Sequence, residues 1–305
     1  MRWRSHKMRL AGALVALGCI GGGAFAVSAS ASARLHPAAP AVADEAALAA
    51  RYWTPQRMLT TAPLDAPRAA DPLAVASFAP VATPTTPPFT VNGRLFVLQG
   101  RKRGSCSGTA INSPSRRLIL TTAHCLNSGP RPGGRAGVWS RYVEFVPAFT
   151  SGIAPFGAFT ARRDEIYVPR QWARFGNPNF DVGAVLTEPN AEGVNVADAV
   201  GGATIVLDVG RRQQFQTFGY PGKSTAMQGC ESPYVGDDPV TYRVPGPPTL
   251  AIRCHWAPGA SGGGWLIEEG RGINGLTSYG KRRDRVHTFG PYFGGANVGR
   301  LVAGM

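Results

Sequence analysis

Short runs of apolar residues, each bounded by glycine, proline or polar residues, recur from Phe89 to the C-terminus. Such runs, four to eight residues long and rich in β-branched or aromatic side chains, predict β-strands. No long segment of this region has a convincing helical period, except for the last turn near the C-terminus. The pattern therefore predicts an all-β barrel or sandwich. The predicted strands are Gly93–Gln99, Gly108–Ile111, Leu118–Thr122, Tyr142–Pro147, Gly183–Leu186, Gln214–Gly219, Leu250–Arg253, Gly264–Ile267 and Gly272–Gly275.

The N-terminal 33 residues have the layout of an export signal. Four basic side chains precede an apolar run from Leu10 to Val27, and small residues around Ala31 and Ala33 fit a signal-peptidase site. An uncleaved membrane anchor is the alternative, because the run approaches the length that spans a bilayer. The glycines in the run and the good cleavage site favour removal. We therefore expect a signal peptide over 1–33 and a secreted protein.

Residues 34–88 are rich in alanine and proline, which favours an extended segment with little core of its own. One part differs, because Asp44 to Met58 begins like a helix and should stop at Pro55. Tyr52 and Trp53 within it are too large and apolar for a plain spacer. We interpret 34–88 as a propeptide that docks on the rest of the chain, with a plain spacer as the alternative.

Cysteine usage agrees with export. Cys19 leaves with the signal peptide, so four cysteines remain in the mature chain, and four cysteines allow three disulfide pairings. The two local pairs, Cys106–Cys125 and Cys230–Cys254, are the pairing that we predict. A zinc site is the alternative, but no Cys-x-x-Cys spacing supports it.

The formal net charge of +14 raises the question of a nucleic-acid partner. The basic residues are scattered as pairs, with one short cluster at Lys281-Arg282-Arg283 and no stripe of interleaved aromatic and basic residues. A solvated basic surface is the better explanation, and we predict no nucleic-acid binding. Anionic cell-wall polymers and acidic substrates remain open as partners.

Three separated residues have the order of a nucleophilic triad. His124 lies in Thr122-Ala123-His124-Cys125, Asp181 precedes an apolar strand, and Ser261 lies among glycines. Each is unremarkable alone, but the order His, Asp, Ser is one known arrangement for acyl transfer to serine. A buried carboxylate beside an apolar strand needs a partner, which favours Asp181 over Asp164 in its charged setting. An esterase or lipase would place the histidine after the serine.

The chain from 89 to 305 resembles the chymotrypsin-fold, trypsin-like serine endopeptidases, and more closely their secreted bacterial branch, which includes the glutamyl endopeptidases. The resemblance implies two six-stranded antiparallel β-barrels, at about 89–190 and 195–305, with the active site in the cleft between them. It rests on Cys106-Ser107-Gly108-Thr109-Ala110-Ile111, Leu120-Thr121-Thr122-Ala123-His124-Cys125, Asp181-Val182-Gly183-Ala184-Val185-Leu186, Phe218-Gly219-Tyr220-Pro221-Gly222 and Pro258-Gly259-Ala260-Ser261-Gly262-Gly263-Gly264-Trp265-Leu266.

The resemblance also implies roles for individual residues. Backbone N–H groups of Gly259 and Ser261 should form the oxyanion hole. The segment Ser278-Tyr279-Gly280 should pair with substrate backbone as an edge strand.

By the same resemblance, the position at the base of the specificity pocket is His255, which argues against cleavage after Arg or Lys unless Asp237 or Asp238 enters the pocket from a loop. It fits a preference for Glu, although Thr277 departs from the histidine of many glutamyl endopeptidases. Ala260 replaces the aspartate that pairs with a freed N-terminus in the animal enzymes, so we expect no such switch.

Together these features predict a secreted, monomeric serine endopeptidase that needs no cofactor or metal and cleaves proteins or peptides through an acyl-enzyme. We expect a zymogen whose propeptide covers the cleft until proteolysis near Pro87–Val91 releases it. The alternative is a non-catalytic binding or adhesion protein on the same fold.

Overall fold

A computed structural model describes residues 34–35, 44–65 and 78–305. The predicted signal peptide, over 1–33, lies outside the described residues. Two curled, mainly antiparallel sheets make up most of the fold, as expected for a chymotrypsin-like pair of barrels. Among the described residues, no helix is both long and apolar enough to cross a membrane.

The first sheet takes most of its strands from one continuous part of the chain. Its strands are paired in the order β1-β8-β9-β5-β4-β3-β6-β7. Their bounds are β1 (Arg34–Leu35), β3 (Asn92–Gln99), β4 (Lys102–Ala110), β5 (Leu118–Thr121), β6 (Ser140–Pro147), β7 (Phe159–Ala161), β8 (Ile166–Pro169) and β9 (Gly183–Leu186).

The second sheet follows the first along the chain and has the order β10-β15-β14-β11-β12-β13-β16, with β2 paired to β12. All its pairs are antiparallel except β10 with β15. The bounds are β2 (Ala79–Pro80), β10 (Thr204–Ile205), β11 (Gln214–Gly219), β12 (Gln228–Asp237), β13 (Leu250–Ile252), β14 (Gly264–Ile267), β15 (Gly272–Leu276) and β16 (Thr288–Gly290).

Helices are short and lie at the ends and connections of the sheets. The α-helices are α1 (Glu45–Tyr52), α2 (Pro55–Thr60), α3 (Ala123–Leu126), α4 (Arg170–Phe175), α5 (Val196–Val200) and α6 (Arg300–Val302). The 3-10 turns are Phe89–Val91, Pro132–Gly134, Arg163–Glu165, Pro178–Phe180, Pro239–Arg243 and Glu268–Gly270. A wider π-type turn, Gly295–Gly299, precedes α6.

All nine predicted strands are present, several with longer bounds. Strand β12, the longest of the described strands, was not predicted from the sequence. Its residues include glycine, serine, proline and exposed polar side chains, and they form no apolar pattern. The short strands β7, β8 and β16 were not predicted either. These strands are stabilised by hydrogen-bonded pairing with neighbouring strands, which the local sequence does not reveal.

The described parts of the predicted propeptide lie against both sheets. Strand β1 pairs with β8 of the first sheet, and β2 pairs with β12 of the second. As predicted, Pro55 ends the first helical run, but it also begins α2, where proline at the first position needs no hydrogen-bonded N–H. Trp53, between the two helices, is buried in the main core cluster.

Two disulfides are present, between Cys106 and Cys125 and between Cys230 and Cys254. They are the local pairs favoured by the sequence, with Cα atoms 6.4 and 6.0 Å apart. The first joins β4 to α3, so it connects the helix that carries His124 to the middle of the first sheet. The second joins β12 to the segment after β13.

Candidate active site

His124 and Asp181 lie side by side because the strands next to them are paired. His124 is in α3, directly after β5, and Asp181 directly precedes β9, whose Gly183 pairs with Thr121 of β5. The Nδ1 atom of His124 is 2.7 Å from Oδ2 of Asp181. The backbone N–H of His124 donates to Oδ1 at 2.9 Å. The carboxylate thus fixes both the imidazole and the backbone that carries it.

The carboxylate of Asp181 is 3% exposed, so its charge must be compensated inside the protein. The hydroxyl of Ser278 donates to Oδ2 at 2.6 Å, in addition to the two contacts from His124. Hydrogen bonds to an ionised acceptor are among the stronger ones in proteins. Ser278, expected only to face substrate, therefore also holds the aspartate.

Ser261 lies in a tight loop that needs its glycines. Gly259 and Gly262 have φ angles of +96° and +88°, which side chains adopt only with strain. A Cβ atom on Gly259 would come within 2.6 Å of the carbonyl oxygen of Tyr220. The loop conformation is therefore restricted to glycine at this position, as the sequence predicts.

Ser107 of β4 fastens this loop to the first sheet. Its Oγ donates to the carbonyl oxygen of Gly259 at 2.9 Å and accepts from the N–H of Tyr220 at 2.9 Å. Its backbone N–H donates to the carbonyl oxygen of Ser261 at 2.8 Å. The serine loop of the second sheet is thus held from the first sheet. The sequence around Ser107, Cys106-Ser107-Gly108, does not by itself predict this role.

The hydroxyl of Ser261 contacts a side chain from the predicted propeptide. Its Oγ donates to Oδ2 of Asp65 at 2.6 Å, and the N–H of Gly259 donates to Oδ1 of the same carboxylate at 2.8 Å. Oγ also lies 3.4 Å from the carbonyl oxygen of Ser278. The sequence did not predict this contact, because Asp65 lies in an alanine- and proline-rich segment and no motif surrounds it.

Opposing effects set the pKa of His124. Burial by itself lowers this pKa, whereas the neighbouring carboxylates of Asp181 and, more weakly, Asp65 raise it. The net result is a pKa above the ordinary value of 6.5. The carboxylates of Asp181 and Asp65 thus stabilise the protonated imidazole relative to a free histidine side chain.

The residues that the sequence suggested for substrate binding lie in different surroundings. Thr277 is 3% exposed, and its Oγ1 accepts a hydrogen bond from Nε1 of Trp265 at 3.0 Å. The backbone N–H and carbonyl of Tyr279 both pair with Phe289. Gly280 is exposed, and His255 is half-buried beside the Cys230–Cys254 disulfide.

One group of potential metal ligands occurs at this site among the described residues. Ligand atoms of Cys106, His124 and Cys125 lie within 4.8 Å of one another. The two sulfur atoms are joined in a disulfide, so neither is the thiolate that binds metals. This group therefore does not have the chemistry of a metal site.

The two curled sheets have the fold of a chymotrypsin-like serine endopeptidase. Comparison with solved structures supports this class. Protease Anisep from Arthrobacter nicotinovorans matches with 28% identity and a TM-score of 0.59, over 67% of this chain and 90% of that one.

Two further bacterial-type proteases are similar. A thermostable serine protease, AL20, from an extremophilic microorganism matches with 27% identity and a TM-score of 0.60, over 70% of this chain and 95% of that one. A Glu endopeptidase matches with 19% identity and a TM-score of 0.59, over 74% and 95% of the two chains, which shows the shared fold.

No protein-family profile matches the sequence, and a search of characterised proteins found no match.

Proposed function

We propose that the protein is a secreted serine endopeptidase that hydrolyses peptide bonds through a triad of Ser261, His124 and Asp181. The observation that carries this proposal is the buried carboxylate of Asp181, 2.7 Å from Nδ1 of His124, with Ser261 connected to the same centre through Ser278. In serine hydrolases, a buried carboxylate commonly orients the histidine that acts as the base for the nucleophilic serine.

In the proposed reaction, His124 is the base that takes the proton of Ser261. Asp181 accepts from Nδ1, which leaves Nε2 as the acceptor and later the donor to the leaving amine. The hydroxyl oxygen of Ser261 then forms the acyl-enzyme, which water hydrolyses with the same histidine acting as base. Neutral His124 is needed for the first step, so activity should rise with pH through its pKa.

The backbone N–H groups of Gly259 and Ser261 are the proposed oxyanion hole. The N–H of Gly259 already donates to an anionic oxygen, that of Asp65. A single donor of this kind is typically worth about 2.7–4 kcal/mol of transition-state stabilisation. Ser107 supports the arrangement because it fixes the carbonyls of Gly259 and Ser261 from the first sheet.

For substrate, we propose extended protein or peptide segments lying along Ser278–Gly280. The N–H groups of Ser278 and Tyr279 both donate to the carbonyl oxygen of Phe289. The groups proposed to face the substrate are therefore the carbonyl oxygen of Ser278, which lies 3.4 Å from Oγ of Ser261, and the backbone of Gly280. A preference for Glu, with His255 at the base of the pocket and Thr277 nearby, remains our proposal for specificity.

We further propose that residues 1–33 are a signal peptide, that 34–88 are a propeptide and that 89–305 form the peptidase, acting as a monomer. The exposed Arg282 and Arg283 lie in the basic cluster after Gly280. This surface would attract anionic cell-wall polymers outside the cell. The two disulfides fit an exported protein.

The test is mass-spectrometric profiling of a diverse peptide library with the released peptidase and its Ser261→Ala variant. Two forms should be compared, one starting at Phe89 and one at Phe78, because β2 pairs with β12 and could be part of the stable peptidase. We expect cuts by the parent alone, clustered after Glu. Cuts clustered after Arg, Lys or large apolar residues would contradict the Glu preference.

Covalent labelling of Ser261 with a fluorophosphonate distinguishes an enzyme from a non-catalytic binding protein, because the reagent requires an activated serine. Labelling of the folded, released peptidase and not of the His124→Ala variant supports the enzyme. A folded sample that neither labels nor cuts would favour a binding protein.

A further inference from the structure

Five consecutive residues of the predicted propeptide, Thr61–Asp65, run into the candidate active site, and we call them the cleft segment. We propose that Asp65 is an inhibitory ligand of the catalytic centre: its carboxylate takes the place of the transition-state oxyanion and holds the hydroxyl proton of Ser261. The inference rests on the proposed function and names the group that keeps the same site inactive.

The backbone of the cleft segment is fixed at successive residues by the first sheet. The N–H of Ser105 donates to the carbonyl oxygen of Ala62, and the N–H of Leu64 donates to the carbonyl oxygen of Ser105, both at 3.0 Å. Pro63 and Ser105 therefore pair in the parallel sense. These contacts set the position along the chain at which Asp65 reaches the serine loop.

Two cations hold the carbonyl groups on either side of this pairing. Arg94, which is 1% exposed, donates from Nη2 to the carbonyl oxygen of Thr61 at 3.1 Å and to Oγ of Ser105 at 3.0 Å. The ammonium group of Lys102 donates to the carbonyl oxygen of Leu64. Burial lowers the pKa of Arg94 to about 10. The carbonyl oxygen of Thr61 is one of the groups that accept a hydrogen bond from the buried guanidinium.

Side-chain packing fits the same register. Leu64 lies against Gly104, where an added Cβ would come within 2.5 Å of Cδ1 of Leu64. The ring of Pro63 lies 3.3 Å from the corresponding position of Gly259. Glycine at both places lets the cleft segment approach the sheet and the serine loop closely. The segment is thus fitted into the cleft by shape as well as by backbone hydrogen bonds.

The carboxylate of Asp65 has the charge that the oxyanion hole is built to bind. An oxyanion hole favours negative charge on an oxygen that is neutral in the substrate and anionic in the transition state. The N–H of Gly259 donates to Oδ1 of Asp65 at 2.8 Å, as it would to that oxygen. The neutral carbonyl oxygen of a bound peptide accepts a weaker hydrogen bond from this N–H group than the carboxylate of Asp65 does.

The same carboxylate prevents the first step of the reaction. The hydroxyl of Ser261 donates to Oδ2 of Asp65 at 2.6 Å, so its proton points away from the base that should remove it. The carbon next to Ser261 is a carboxylate carbon and not a peptide carbonyl. Attack on it would need to add negative charge to an anion and expel an oxide, so the segment is held without being cut.

The experiment uses the chain from 34 to 305, checked to be intact by mass, and measures the second-order rate of fluorophosphonate labelling at Ser261. The variants are Asp65→Asn, which keeps the size and removes the charge, and Asp65→Ala. The matched control is Asp44→Asn, because Asp44 is an exposed aspartate of the same propeptide whose side chain caps no helix. Folding of each variant is checked by thermal unfolding in the Ser261→Ala background.

We expect both Asp65 variants to label at least tenfold faster than the parent, with Asp44→Asn unchanged. Loss of intact chain during expression of an Asp65 variant, but not of its Ser261→Ala double variant, supports the inference equally. Parent-like labelling of both Asp65 variants, with fast labelling of the released peptidase, would overturn it and leave the proposed function standing. A released peptidase that does not label would instead defeat the proposed function.

Discussion

Ser278 connects the two halves of the catalytic centre. Its hydroxyl donates to Asp181 at 2.6 Å, and its carbonyl oxygen lies 3.4 Å from Oγ of Ser261. It is a positioning residue for the His124–Asp181 pair, and the sequence alone offered it only as part of a substrate strand. The reason is that a serine ahead of a tyrosine and a glycine has no local feature that predicts a buried carboxylate beside it.

We predict that Ser278→Ala lowers kcat/KM by about 10- to 100-fold, since hydrogen bonds to charged groups are worth about 1.5–3 kcal/mol. Loss of the donor leaves the carboxylate of Asp181 a stronger partner for protonated His124, so the acid limb of the pH profile should move to higher pH. Steady-state rates against pH measure both effects.

Ser232→Ala is the control, because Ser232 is a buried serine whose hydroxyl, among the described residues, bonds to backbone groups of Pro233 and Arg253 in the second sheet. It should leave the pH profile in place. An unchanged profile in Ser278→Ala would mean that the serine does not act through Asp181.

At the scale of elements, α1 and α2 of the predicted propeptide pack against the first sheet. Trp53, between α1 and α2, is 3% exposed, and its ring centroid lies 5.4 Å from that of Phe96 in β3. Its indole N–H donates to the carbonyl oxygen of Tyr142 at 2.5 Å. Aromatic side chains typically bury about 150–250 Å² each, so Trp53 is a large contact between the predicted propeptide and the first sheet.

We predict that Trp53→Ala weakens docking of the propeptide, because removing a buried tryptophan typically costs about 3–5 kcal/mol. In the intact chain from 34 to 305, fluorophosphonate labelling of Ser261 should become at least tenfold faster. Leu48→Ala is the matched control, since Leu48 lies in α1 and is 38% exposed. Equal rates in the two variants would show that the helices do not hold the cleft segment in place.

Sequence pattern predicted the longer apolar strands and failed for β12, whose side chains have no apolar pattern, and for several strands of three or four residues. Strands such as β3 and β9 carry buried side chains along nearly their whole length. By contrast, β12 has mixed burial and a register shift against β13. A strand of this kind is stabilised by backbone pairing on both sides, which local hydrophobicity does not report.

At the scale of the whole molecule, the predicted propeptide contacts both sheets and the end of the chain. Arg34 donates to the carbonyl oxygens of Leu301 and Ala303 at 3.0 and 3.1 Å. After the undescribed residues 66–77 of the predicted propeptide, Phe78 stacks on Trp256 of the second sheet, with ring centroids 5.0 Å apart. Between these points lies the cleft segment, so the propeptide spans the molecule on both sides of the active site.

We predict that release of the propeptide lowers the pKa of His124, because the carboxylate of Asp65 is one of the charges that raise it. By linkage, the propeptide then binds more tightly when His124 is protonated, and its affinity falls as pH rises through that pKa. NMR titration of His124, before and after removal of 34–88 in the Ser261→Ala background, measures the shift.

Asp65→Asn in the intact chain should reproduce the direction of this shift, while Asp44→Asn should not. A pKa that stays constant in Asp65→Asn, or that rises, would mean that Asp65 does not act electrostatically on the imidazole.

The amino-acid sequence predicted the class of fold, the two local disulfides and the candidates His124, Asp181 and Ser261. It could do so because strand periodicity, glycine at positive φ and the surroundings of these three residues are local properties of the chain. Tertiary structure alone decided what reaches the catalytic centre from elsewhere: Ser107 from β4, the hydroxyl of Ser278, and Asp65. A hydrogen bond across 196 positions, as between Asp65 and Ser261, depends on how the sheets and the propeptide pack, and no local pattern records it.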